Sequence, residues 1–142
     1  MRSGTEGTPA IFGFAAACAA GAGTFREDSL REKELLGWLV EELSNLEGIR
    51  INGCHEAPHI LSLSVPGVPT QNSINILQDA GICVSAGSAC AKGHRSHVLE
   101  AMHLPPETMD GSFRVSIGRQ TTKEELESLI RVIREEILPR KR

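Results

Sequence analysis

The stretch FRVSIGRQTTKEELESLIRVIREEI, residues 113–137, carries both periodicities from which this fold is built. Phe113, Val115 and Ile117 alternate with Arg114 and Ser116, the two-residue period of a strand that buries one face. Thr122 and Glu125 then form a capping-box pair, and Leu126, Leu129, Ile130, Ile133 and Ile137 recur at helical spacing behind it. A half-buried strand, a tight turn and an amphipathic helix follow one another within a single short segment, so sheet and helix pack together.

Working outward, the run from His59 to Val65 between Pro58 and Pro66 alternates again, with Leu61, Leu63 and Val65 on one side and Ser62 and Ser64 on the other. A helix from about Ser73 to Ala80 ends at Gly81, and Ile82-Cys83-Val84 reads as another brief strand leading into the small-residue loop Ser85 to Gly93. Ser96 is placed to cap a helix from His97 to Met102, which Pro105-Pro106 terminates. Upstream, Leu36, Leu39, Val40, Leu43 and Leu46 set a helix from about Asp28 to Leu46, with Gly48 to close it. Thr8-Pro9 opens an Ala-rich helix to about Ala20, stopped by Gly21 and Gly23. Interleaved short strands and helices joined by tight turns predict an α+β two-layer domain, helices on one face of a small, mainly antiparallel sheet.

The length, 142 residues, fits one domain, and a hydrophobic share of 40% with 23% charged residues is ordinary globular usage, which sets aside disorder and coiled coil. The formal charge of −3 argues against a nucleic-acid footprint; the basic cluster Arg140-Lys141-Arg142 reads as a solvated tail. No apolar run reaches the roughly 18 to 20 residues of a membrane span. Arg2 before the apolar run Ala10 to Ala22 has the outline of a signal peptide, but Glu6 in the cationic region and Pro9 at a helix start speak against it. Cys18, Cys54, Cys83 and Cys90 are too sparse for a disulfide framework, so a reducing cytoplasm is expected.

Cys90 is the thiol expected to be exposed, because the small residues of its loop leave it little to pack against. Lys92, His94, Arg95 and His97 nearby, with the start of the following helix, favour thiolate over thiol; the bland alternative is a small residue in a turn. Cys83, Cys90, His94 and His97 offer metal-ligand types, yet no Cys-x-x-Cys pair occurs and no metal is assigned. Arg114 lies on the strand side opposite Phe113, Val115 and Ile117, either as a fork for a carboxylate or as a solvated arginine. Cys18, among Phe12, Phe14 and alanines, reads as a small buried hydrophobe. His55, His59 and His103 receive no role.

The segments Gly81-Ile82-Cys83-Val84-Ser85-Ala86-Gly87-Ser88-Ala89-Cys90, Ser96 to Met102 and Phe113-Arg114-Val115-Ser116-Ile117-Gly118-Arg119 occur in the order and form of the C-terminal part of cysteine desulfurases, which this chain strongly resembles. These are pyridoxal-phosphate enzymes of the class V aminotransferase group, with a fold-type I small domain. The opening Arg2 to Pro9 also looks like the family's segment leaving the large domain, so residues 1–24 would be connecting segment and first helix, and 1–142 the C-terminal small domain.

The resemblance implies that Cys90 is the loop cysteine whose thiolate takes sulfur from L-cysteine, leaving L-alanine and a persulfide for a sulfur-acceptor protein, as in iron–sulfur cluster assembly. It implies that Arg114 holds the substrate carboxylate, and that Thr5 reaches the phosphate of pyridoxal phosphate in the other subunit of a homodimer. The family's Schiff-base lysine, which follows a histidine in the large domain, has no counterpart among Lys33, Lys92, Lys123 and Lys141. Lys33 and Lys123 read as helix-surface residues. The chain alone is therefore expected to be inactive and to expose an apolar patch around its first helix and the Cys90 loop. Two alternatives stand beside this reading: a non-enzymatic sulfur-carrying or docking module, and a selenocysteine-directed enzyme.

Overall fold

The structure is a computed structural model and describes residues 4, 6–54, 56–86 and 96–141. In chain order its elements are α1 (Thr8–Ala22), α2 (Phe25–Ser44), β1 (Arg50–Asn52), β2 (Ile60–Ser64), α3 (Thr70–Asp79), β3 (Ser85–Ala86), α4 (His97–Ala101), α5 (Pro106–Asp110), β4 (Ser112–Ser116) and α6 (Lys123–Val132). The chain then continues through a π-helical turn, Ile133–Ile137, and a 3-10 turn, Leu138–Arg140.

The strands form one antiparallel sheet in the order β1-β2-β4-β3. Leu61 pairs with Val115 and Leu63 with Phe113, so the alternation in β2 and β4 places one apolar set on one face. That face carries the helices: Leu36, Leu39 and Leu43 of α2, Ile76 and Leu77 of α3, and Leu126 and Leu129 of α6 share one core cluster with it. Burying a side chain such as Leu39, Leu61 or Phe113 contributes about 1.5–3 kcal/mol relative to leaving it in water. The two-layer α+β arrangement expected from the sequence is therefore the one observed.

The capping box is present. Thr122 Oγ1 accepts from the Glu125 N–H at 3.3 Å, and Glu125 Oε2 accepts from the Thr122 N–H at 2.9 Å. The inward set Leu126, Leu129, Ile130, Ile133 and Ile137 is buried throughout, although the last two belong to the π-helical turn rather than to α6.

Four expectations need correction. Ile82-Cys83-Val84 is not a strand; pairing with β4 involves only Ser85 and Ala86. The Ile82 N–H is already given to Leu77 O at 2.8 Å, and the Gly81 N–H, at φ +78°, to Gln78 O at 2.9 Å. This is a Schellman close of α3, and it takes Ile82 out of the ladder. Pro105-Pro106 does not simply end a helix, because Pro106 also begins α5, where its fixed φ suits a first helical position. α2 starts at Phe25 and stops at Ser44, earlier at both ends than its apolar spacing suggests.

Cys18, finally, is exposed rather than buried. α1 is apolar on every side and buries no residue, with Phe12 75% and Phe14 74% exposed. Together with exposed Ile11, Phe25 and Leu30 these side chains make the apolar patch expected around the first helix. Among the described residues no single helix is long and apolar enough to cross a membrane.

Candidate functional site on the polar face of the sheet

The alternation that sends Phe113 and Val115 into the core turns Arg114 to the opposite face, where it is exposed. The register assembles its neighbours. Arg114 pairs with Ser62 of β2 on one side and with Ser85 of β3 on the other, and Ser62 pairs in turn with Asn52 of β1. Asn52, Ser62, Arg114 and Ser85 thus form one polar row across all four strands. The Ile117 N–H donates to His59 O at 2.9 Å, which marks that pair as hydrogen-bonded. Strict alternation along the ladder makes Ser62 and Arg114 a non-hydrogen-bonded pair, the kind whose side chains stand closer together.

Asn52 is held within this row. Its Nδ2 donates to Ser62 Oγ at 3.2 Å and to Ser64 Oγ at 2.8 Å. The residue is only 6% exposed, and its Oδ1 is buried without a hydrogen-bond partner among the described residues.

The turn after β4 is fixed from the helical layer. Arg31 of α2 donates through Nη1 to Thr121 O at 2.9 Å and through Nη2 to Gly118 O at 3.3 Å and to Arg119 O. The Gly118 N–H also gives a 3.0 Å bond to Thr121 Oγ1. β4 is therefore an interior strand pinned beyond its end, a rigid base for Arg114. Beside it a groove of about 300 Å³ opens between Cys83, Val84, Ser116 and Glu125. It exists because Ile82 to Val84 do not pair with β4, and it leaves Cys83 exposed.

Of the three residues to which the resemblance gives a role, Cys90, Arg114 and Thr5, Arg114 is the one that lies among the described residues. Cys90 and Thr5 lie outside the described residues, as do Lys92, His94 and Arg95. His97 is exposed at the start of α4, and Ser96 occupies the N-cap position with extended backbone but makes no side-chain cap bond. Asn52, Ser62 and Arg31 were not singled out. A serine alternating with leucines gives no sign of which strand lies beside it, and Arg31 reaches its partners across 87 to 90 residues of chain.

The described lysines do not fit covalent attachment of pyridoxal phosphate beside Arg114. Lys33 is exposed on α2, Lys141 is exposed after the last turn, and Lys123 is exposed on α6 with Nζ 4.7 Å from the centre of the Trp38 ring. α2 and α6 cover the face opposite Arg114.

Comparison with known proteins places the chain. The aminotransferase class-V family matches residues 1–129, and the chain belongs to that family. Within it, the chain is 37% identical over 139 residues to the cysteine desulfurase IscS of Shewanella piezotolerans and 36% identical over 141 residues to that of Tolumonas auensis. Each comparison covers 96% of this chain and 34% of the relative, so the chain spans about a third of the length of the curated relatives it matches. Among solved structures, a NifS-like protein from Rickettsia africae superposes with a TM-score of 0.82 at 29% identity, over 94% of this chain and 36% of that one.

Proposed function

We propose that this chain is the C-terminal small domain of a pyridoxal-phosphate-dependent cysteine desulfurase. Arg114 carries the reading: a guanidinium on an interior strand, facing away from the core, in a chain similar over nearly its whole length to desulfurases. A planar fork in that setting suits the carboxylate of a free amino acid. L-cysteine is the substrate and Arg114 orients it.

Cys90, seven residues ahead of His97, is the nucleophile. Its thiolate forms a bond to the sulfur of L-cysteine as the carbon–sulfur bond breaks. The bonding pair stays on carbon and is protonated, giving L-alanine and a persulfide that a sulfur-acceptor protein removes. Lys92, His94, Arg95 and His97, close to it in sequence, favour its ionised form in a reducing, cytoplasmic setting. Thr5 serves the cofactor phosphate within a homodimer. The amine that holds the cofactor belongs to the longer parent protein, so this chain alone releases no alanine.

The test is Cys90→Ser in the full-length protein: alanine release from L-cysteine stops while cofactor absorbance persists. Full turnover by that variant overturns the reading. The isolated chain mixed with pyridoxal phosphate is expected to show neither a Schiff-base band nor turnover.

A further inference from the structure

We propose that Ser62 and Asn52 complete an amino-acid carboxylate site around Arg114, with the Ser62 hydroxyl as a second donor and Asn52 as the positioning residue that keeps it free to donate. The proposal rests on the reading of Arg114 given above and adds two residues to it.

A serine hydroxyl has one hydrogen to give and two lone pairs to receive. Asn52 Nδ2 donates to Ser62 Oγ, so the amide fills an acceptor site and leaves the Ser62 hydrogen unspent. The nearest long side chain in the row, Arg114, has five N–H donors and no acceptor. Asn52 Oδ1, the acceptor that belongs to the same row, meets neither Ser62 nor Ser64. Donors thus converge beside Arg114, and among the described residues no side chain takes up the Ser62 hydrogen or the Arg114 N–H groups. A carboxylate, with two oxygens and about four acceptor positions, is the small group that matches such a set.

The geometry is also prearranged. Asn52 is buried and tied to two serines, and Ser62 and Arg114 sit on adjacent interior strands as a close pair. Burying Asn52 Oδ1 without a partner among the described residues costs free energy. An asparagine kept there despite that cost, holding a serine by its acceptor side, is better explained by the serine's free hydrogen than by the stability of the sheet.

The experiment is a titration of the 142-residue chain, labelled with nitrogen-15, followed by two-dimensional NMR. L-alanine is the probe, and L-alaninamide, which lacks the carboxylate, is the control. L-alanine alone is expected to shift the Arg114 Nε–H and Asn52 Nδ2 signals saturably. Ser62→Ala is expected to weaken binding about tenfold, as loss of a hydrogen bond to a charged group does, and Ser62→Thr to restore it. Asn52→Leu, of nearly the same volume, uncharged and with no amide to donate, releases Ser62 and is expected to weaken binding at least as much. A purely structural role for Asn52 would leave L-alanine affinity unchanged wherever the backbone spectrum is intact, and if that variant does not fold, Ser62→Ala decides. Wild-type affinity in the serine variant with Arg114 still responding overturns this proposal and leaves the Arg114 reading standing. No carboxylate-dependent shift at Arg114 in the unsubstituted chain overturns this proposal, whereas an unchanged dependence of rate on L-cysteine concentration for Arg114→Ala in the full-length protein overturns the Arg114 reading.

Discussion

Gly111→Ala is expected to be among the most damaging single-methyl additions to this domain. Gly111 is buried between α5 and β4, and its carbonyl accepts the Val65 N–H at 3.1 Å. A Cβ there would stand 2.9 Å from the Val65 carbonyl carbon, 3.0 Å from Val68 O and closer still to Val65 O. All three neighbours are backbone, so no side chain can rotate aside. Relief requires moving β4 away from the turn at Val65 to Val68, whose two valines are fully or almost fully buried. The same movement strains the Thr70 Oγ1 bonds to Asp110 O and Ser112 O, at 2.8 and 2.7 Å. Overpacking of this kind costs about 1–3 kcal/mol and a weakened hydrogen bond about 1 more, so the expected loss is about 2–4 kcal/mol. In urea that moves the midpoint down by roughly 1–2 M, and the sole tryptophan, Trp38, reports it by fluorescence. Gly37→Ala is the matched control: it lies within α2, where a Cβ meets nothing within 4 Å. The same added methyl should stabilise there by about 0.5–1 kcal/mol. A Gly111→Ala chain within about 1 kcal/mol of the parent, at unchanged slope, would refute the close-approach argument.

Arg31→Ala should cost about 1–2 kcal/mol, because three carbonyls of the turn after β4 lose a charged donor that is only partly screened by solvent. Arg31→Lys should recover less than half of this, since an ammonium cannot fork to all three; equal stability of Arg31→Ala and the parent in urea would contradict the clamp. The Glu124 carboxyl is held below the usual carboxylate range, first by a backbone hydrogen bond and then by the Thr122 side chain. A lowered folded-state value means stabilisation that is present above the unfolded-state value and is lost as pH falls through the folded one. Glu124→Gln should therefore be less stable than the parent at neutral pH, with the difference closing below about pH 4; a gap that persists in acid would exclude this origin.

What could be read from the sequence is what depends on periodicity, and what could not depends on register and distance. The β4–α6 segment was legible because its strand and helix each carry a strong local signal, and Thr122 and Glu125 mark the boundary between them. β1 was not foreseen: Arg50 to Asn52 is too short to show an alternation and becomes a strand only by pairing with Ser62 to Ser64. α1 misled in a different way. Cys18 among its alanines and phenylalanines reads as a buried hydrophobe, but a helix apolar all round needs partners all round, and in this chain it has none among the described residues, so Cys18 shares the exposure expected of the patch. For the site, alternation alone turned Arg114 away from the core, whereas its neighbours follow from register. That register is set by Leu63 against Phe113 and Leu61 against Val115. A slip of one residue would send Arg114 into the leucines and Phe113 into water, so the hydrophobic pairing that holds the sheet together is also what brings Ser62 and Asn52 beside Arg114.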